Sequence, residues 1–225
     1  MRAAGYEVTS EYYINDAGKQ IDNLALSLIA RYHQAFGVEK AMPEDGYYGK
    51  DVIGIAGKIK EEIGDRYLND DSKEAYQYFR KVGVDHELEK LKGVLKDFGV
   101  SFDVWFSETS LYESGEVAKR VEELKAKGLT YEKDGALWFK TTAFGDDKDR
   151  VLVKSDGSYT YLTPDISYHL NKLSRGYDYL VDLLGADHHG YIARLKASIQ
   201  AFGYQPDQLE VDIMQMVRLV RDGQE

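Results

Sequence analysis

Three short stretches carry the residues able to do chemistry. In TPDISYHLNKLSRG (163–176) Asp165 follows Thr163 and Pro164. Threonine suits a helix N-cap, proline the first helical position and Gly176 the stop, so a helix is expected from Pro164 to Arg175 with Asp165 in its first turn. There the unpaired amides and the positive end of the helix dipole favour the ionised carboxylate. Ile166, Leu170 and Leu173 form an apolar stripe, while Asp165 and His169, four apart, share a neighbouring face. Such an acid is either a helix-start charge with a helical partner or a ligand-reading group.

The second stretch is GADHHGY (185–191), at the end of an apolar run. Open parallel sheets bind ligands outside the carboxyl ends of their strands. Gly185 permits close approach of a ligand to the backbone, Asp187 can accept hydrogen bonds from a ribose, and the next helix start offers amides to an anion. A metal-dependent phosphoesterase is one alternative, with Asp187, His188 and His189 joined by Asp178 and Asp182. Adjacent histidines cannot point the same way from a regular element, which counts against one metal held by both. A second alternative is a non-catalytic module in which the histidines are satisfied loop groups. The third stretch, EYYINDAGKQI (11–21), has Asn15, Asp16 and Gly18 as strand-end turn formers.

The elements that must position these residues follow from periodicity. Gly5 to Ile14 reads as a strand, and Ile21, Leu24, Leu28, Tyr32 and Phe36 recur at helical spacing before Gly37. From Met42 to about Gly128 the pattern is helical and charged, with stripes Leu88, Leu91, Leu95, Phe98 and Val117, Val121, Leu124. Asp134-Gly135 and Asp156-Gly157 announce two hairpins with two-residue turns. The second is expected to set Leu152 opposite Tyr161. Strands near Tyr179–Leu184 and Val211–Val220 flank a helix from about His189 to Phe202, and their almost continuous apolar character suits a parallel sheet covered on both faces.

The fold class expected is α/β: a partial doubly wound, Rossmann-type parallel sheet interrupted by a largely helical insertion with β-hairpins. Residues 1–40 and 158–225 would form the two parts of a nucleotide-binding fold, with 41–157 as the insertion. At 225 residues and 43% hydrophobic the chain is expected to be globular. It shows no run of about 18 apolar residues and no basic, apolar leader, so no membrane partner is expected and the expected location is cytoplasmic. The absence of cysteine excludes disulfides and thiolate metal sites. A net charge of -10 argues against non-specific nucleic-acid binding by the chain as a whole.

Taken in order, EYYINDAGKQI, ALWFKTTAFGDDKDRVLVKSDGSYTYLTPDISYHLNKL, GADHHGYIARLKA and VDIMQMVRLVRDGQE resemble arginyl-tRNA synthetase of the bacterial type, most strongly from Ala136 onward. The resemblance implies a class I aminoacyl-tRNA ligase that activates L-arginine with ATP and transfers it to arginine tRNA. Magnesium would come with ATP, and no metal would be bound by the protein. Position by position, it implies Tyr161, Asp165 and His188 as arginine-binding residues. Gly185, Ala186, Asp187 and His189 would form the nucleotide loop, and Met216 and Val217, on the last strand, the backbone edge that meets adenine. A lysine, Lys19, stands where the family more often has asparagine. The His-Ile-Gly-His and Lys-Met-Ser-Lys type signatures of class I are absent from these 225 residues. The implied piece is therefore internal to the catalytic domain and expected to be inactive alone.

Overall fold

The computed structural model describes residues 1–218, 220 and 221, with 187 and 189 described by backbone only. It divides into two compact units, residues 1–109 and 110–225.

In the first unit, strand β1 (Glu11–Ile14) leads through the left-handed Gly18 (φ 86°) into helix α1 (Lys19–Ala35). The expected stripe is the buried one: Leu24, Leu28 and Tyr32 pack on Val52, Ile55 and Ile59 of α2 (Lys50–Ile63) and on Phe79 of α3 (Lys73–Asp97). The Tyr32 hydroxyl donates to Gly64 O at 2.6 Å, giving the buried phenol a partner. Phe98, the last member of the stripe expected on α3, is 83% exposed just beyond the helix end.

A strand that periodicity missed lies at Val104–Ser107 (β2), inside the stretch read as helical. It pairs in parallel with β1, Glu11 opposite Val104 and Ile14 opposite Ser107. Four residues are too few to display a period, so only the ladder identifies it. Asp16 ties the two strand ends together, accepting from Thr109 N at 2.8 Å and from Ser107 Oγ at 2.5 Å. The turn chemistry of Asn15–Gly18 is thus partly a strand-to-strand clasp.

Helix α4 (Glu108–Glu113) precedes α5 (Glu116–Ala126), whose stripe Val117, Val121 and Leu124 is buried. Strands β3 (Thr130–Lys133), β4 (Ala136–Phe139) and β5 (Arg150–Val153) form an antiparallel sheet in that order. The β3–β4 hairpin has the expected two-residue turn, with Asp134 at φ 54° and Gly135 at φ 74° between paired Lys133 and Ala136.

The second hairpin departs from expectation by one residue. Lys154 N donates to Ser158 O and Val153 bridges Tyr159, so three residues form the loop and Leu152 is not set opposite Tyr161. Asp156 accounts for the shift: its carboxylate accepts from Ser158 N at 2.8 Å and Ser158 Oγ at 2.6 Å, and Gly157 takes the left-handed position at φ 82°.

Helix α6 (Leu162–Ser174), strand β6 (Leu180–Gly185), helix α7 (Ile192–Ala201) and strand β7 (Leu209–Met214) complete the second unit. β6 and β7 are parallel, from Leu180 opposite Leu209 to Gly185 opposite Met214. Leu173, Leu180, Leu195, Ile199 and Leu209 form one core cluster, and Leu152, Leu162, Ile166 and Leu170 belong to another. One face of the β6–β7 pair packs on the helices, whereas Val181, Leu183 and Met214 on the other are exposed. The apolar character of these strands therefore does not reflect cover on both faces within this unit.

Candidate functional site

The start of α6 is built from the β5 side. Thr163 is not the N-cap: it lies inside the helix, fully buried, with Oγ1 donating to Leu152 O at 2.8 Å. The cap position belongs to Tyr161, whose backbone is already helical (φ -59°, ψ -28°) and whose carbonyl accepts from Asp165 N at 3.4 Å. Helical geometry one turn apart sets Tyr161 and Asp165 on one face of the helix end. Tyr161 is 85% exposed, while Asp165 is half-buried.

Burial pushes the Asp165 carboxyl above the ordinary carboxylate range; the nearby His169, a hydrogen bond from the Tyr191 hydroxyl and the proximity of His188 pull the other way without winning, and Asp182 adds to the rise. Burial, and then the Asp165 carboxylate, hold the Tyr191 phenol well above the ordinary tyrosine range, so it remains a donor. Tyr191 ends a 3-10 segment, Ala186–Tyr191, that carries His188 three residues earlier. The His188 ring meets the Tyr191 ring edge-on at 5.9 Å between centroids, and Arg194 lies over the same ring at 4.6 Å. The structure thus brings Tyr161, Asp165 and the segment bearing His188 to one end of the second unit.

Gly185 closes β6 and is exposed, as is Ala186 after it. The side chains of Asp187 and His189 lie outside the described residues, as do Leu219 and the last four residues of the RDGQE segment. Met216 and Val217 are not on the last strand: β7 stops at Met214, and both follow it, 85% and 84% exposed. The apolar run there had suggested a strand to Val220, but pairing with β6 ends at Gly185 and the ladder ends with it.

Asp182, offered from sequence as a metal ligand, is fully engaged. Its Oδ2 lies 2.6 Å from His169 Nε2 and its Oδ1 accepts from Lys172 Nζ at 2.6 Å. Burial opposes its ionisation, but these two partners hold its carboxyl far below the ordinary range. Among the described residues, no group of three or more His, Asp or Glu side chains is arranged to hold a metal ion. His169 does not pair with the Asp165 side chain; its Nδ1 lies 2.7 Å from the Asp165 backbone carbonyl. Sequence reading missed this cluster and Tyr191. The signal available was an aspartate inside an apolar strand, LVDLL, which needs a buried partner.

The family described as tRNA synthetases class I (R), catalytic domain, matches residues 1–225. An arginine-tRNA ligase of Halalkalibacterium halodurans is 60% identical over 221 residues, and one of Bacillus subtilis 58%. Each alignment takes in 98% of this chain, which spans about 40% of the length of these relatives. A crystal structure from Campylobacter jejuni, assigned as an arginyl-tRNA synthetase, superposes with a TM-score of 0.87 at 35% identity, covering 99% of this chain and 49% of that one. The Thermus thermophilus arginyl-tRNA synthetase, 17% identical with a TM-score of 0.66 over 95% of this chain and 42% of its own, shares the fold. With an α/β architecture of parallel strand pairs and hairpins, and a family match along its whole length, the chain belongs to the class I arginyl-tRNA synthetases and corresponds to part of their catalytic domain.

Proposed function

We propose that this chain supplies the arginine-reading part of an arginine-tRNA ligase. In that reaction the substrate carboxylate attacks the α-phosphorus of ATP and expels pyrophosphate. A hydroxyl of the terminal tRNA adenosine then attacks the arginyl carbonyl and releases AMP. The single observation that carries the reading is the placement of Tyr161 and Asp165 one turn apart at the exposed start of α6, with a partly buried carboxylate between the helix end and the segment bearing His188. A planar guanidinium can give a carboxylate two parallel N–H bonds, which an ammonium cannot match. The neighbouring Tyr161 hydroxyl adds an acceptor on the same helix face, and His188 lies where it can meet the amino-acid end.

The nucleotide would lie along Gly185, Ala186, Asp187 and His189, where β6 opens into the 3-10 segment, with Met216 and Val217 offering backbone to adenine. Magnesium, arriving with ATP, would neutralise phosphate charge, the usual contribution of that ion. Arginine tRNA would be the acceptor and the cytoplasm the location. No helix among the described residues is long and apolar enough to cross a membrane. The three-part division at residues 40 and 157 belongs to the same proposal, with 1–40 and 158–225 as parts of the nucleotide-binding fold.

Calorimetric titration of the chain with L-arginine and with L-citrulline, its uncharged isostere, tests the pocket. Arginine binding that is lost with citrulline and in Asp165→Asn supports it; losing a buried charge-assisted contact costs about 2–5 kcal/mol. Equal heats for wild type and Asp165→Asn remove the assignment.

A further inference from the structure

We infer that His169 is a buried imidazolium that acts, through its clamp on Asp182, as a positioning residue for Asp165. The inference rests on the reading of Asp165 as the guanidinium-binding acid, and it starts from a comparison of two histidines in this chain. His33 places Nδ1 2.8 Å from Ile29 O, four residues back, and its Nε2 faces the backbone N–H of Asn69 at 3.1 Å. A carbonyl only accepts and an N–H only donates, so His33 carries its proton on Nδ1 and is neutral.

His169 makes the same backward contact, Nδ1 to Asp165 O at 2.7 Å, but its Nε2 faces Asp182 Oδ2 at 2.6 Å. Two acceptors facing one ring require a proton on both nitrogens unless the carboxylic acid supplies one. The Lys172 ammonium, donating to the other oxygen at 2.6 Å, favours the ionised carboxylate of Asp182, so the proton stays on the ring. The ammonium also sits 4.4 Å from the Tyr168 ring centroid, and the Tyr168 ring meets His169 edge-on at 5.7 Å. His169 and Lys172 are buried.

The positional consequence follows from which atoms are joined. Asp182 sits three residues before Gly185 on β6, and His169 and Lys172 lie on successive turns of α6. Through His169 the strand grips the peptide carbonyl of Asp165 itself. The separation between the acid and the segment that begins after Gly185 is therefore set by one carboxylate bridging two helix turns. Displacement of about 1 Å is enough to cost a binding geometry a large factor.

Two measurements on the 225-residue chain test this. The first is the set of nitrogen-15 correlation spectra of the histidine side chains at mildly alkaline pH, with His169→Gln used to assign its signals. Protons on both nitrogens of His169, beside a single-proton tautomer for His33, support the inference; a single-proton tautomer at His169 overturns it. The second is arginine titration of wild type, Asp165→Asn and Asp182→Asn, with near-ultraviolet circular dichroism to confirm folding. A roughly ten- to hundredfold weaker affinity in folded Asp182→Asn supports the positioning role. Weakening in Asp165→Asn with none in Asp182→Asn overturns that role and leaves the pocket standing. Equal affinity in Asp165→Asn, or no binding by wild type, removes the pocket and the positioning role with it, whatever the spectra show.

Discussion

Arg150 grips Asp146 with both arms of its guanidinium fork, Nε to Oδ2 and Nη2 to Oδ1, each at 2.8 Å. The Asp146 side chain is fully buried and that of Arg150 nearly so. This pair anchors the loop between β4 and β5, and so the strand whose Leu152 carbonyl receives Thr163 at the start of α6. Burial pushes the Asp146 carboxyl up, but the hydrogen bonds from Arg150 and Asp147 overcome it and hold the group far below the ordinary range.

Arg150→Lys keeps the charge and loses the fork, and is expected to destabilise the chain by about 1–3 kcal/mol, the usual cost of a charged group left imperfectly paired. Because the folded carboxyl is depressed, its contribution is present above the unfolded aspartate value of about 4 and is lost as pH falls through the folded value. Urea denaturation should therefore show the gap between wild type and Asp146→Asn narrowing on acidification below that range. A gap independent of pH would contradict the assignment.

Two glycines in α3 should respond to alanine in opposite directions. A Cβ on Gly83 would come within 2.8 Å of Leu28 Cδ1 and 3.2 Å of Leu24 Cγ, side chains already locked in the core with Tyr32 and Phe79, whereas a Cβ on Gly93 meets nothing. Gly93→Ala should stabilise by about 1 kcal/mol through helix propensity. Gly83→Ala should show a net loss of about 1 kcal/mol, overpacking exceeding the same propensity gain. Chemical denaturation midpoints of both variants decide it.

Tyr161→Phe separates binding from stability. The side chain is 85% exposed, so removal of its hydroxyl should leave stability within about 0.5 kcal/mol of wild type. On the proposed reading arginine affinity should fall by roughly tenfold, the equivalent of one lost hydrogen bond of about 1.4 kcal/mol. Calorimetry alongside a thermal melt reads both at once.

Asp165→Asn should change both. The folded carboxyl is raised, chiefly by burial, so the native state holds its proton more tightly than the unfolded chain does. Stability then declines as pH rises from the unfolded value through the folded one. At neutral pH the charged acid is a liability to folding, and the asparagine variant should melt at a higher temperature than wild type while losing arginine. A lower melting temperature would contradict a carboxyl held above its ordinary range by burial.

The sequence alone determined what local physics encodes. The stripe Leu24, Leu28, Tyr32 is legible because a 3.6-residue period repeats within one helix, and the turn at Asp134-Gly135 because few dipeptides tolerate positive φ twice. Asp165 in the first turn of a helix was legible from the proline before it and the stripe Ile166, Leu170, Leu173 after it, although the helix starts at Leu162 and its cap is not Thr163. Tertiary structure alone decided which distant groups meet. β2 shows no period in four residues and exists through its pairing with β1, some ninety residues earlier. Asp156 shifted a hairpin register by capturing Ser158. Thr163 gave its hydroxyl to Leu152, not to a helix amide, because packing against β5 placed that carbonyl within reach. Asp182, an acid in an apolar strand whose partner the sequence could not name, became the partner of His169 and Lys172 once β6 lay beside α6. Period and turn chemistry act over a few residues, whereas the partner of a buried charge is chosen by whatever the folded chain carries to its side.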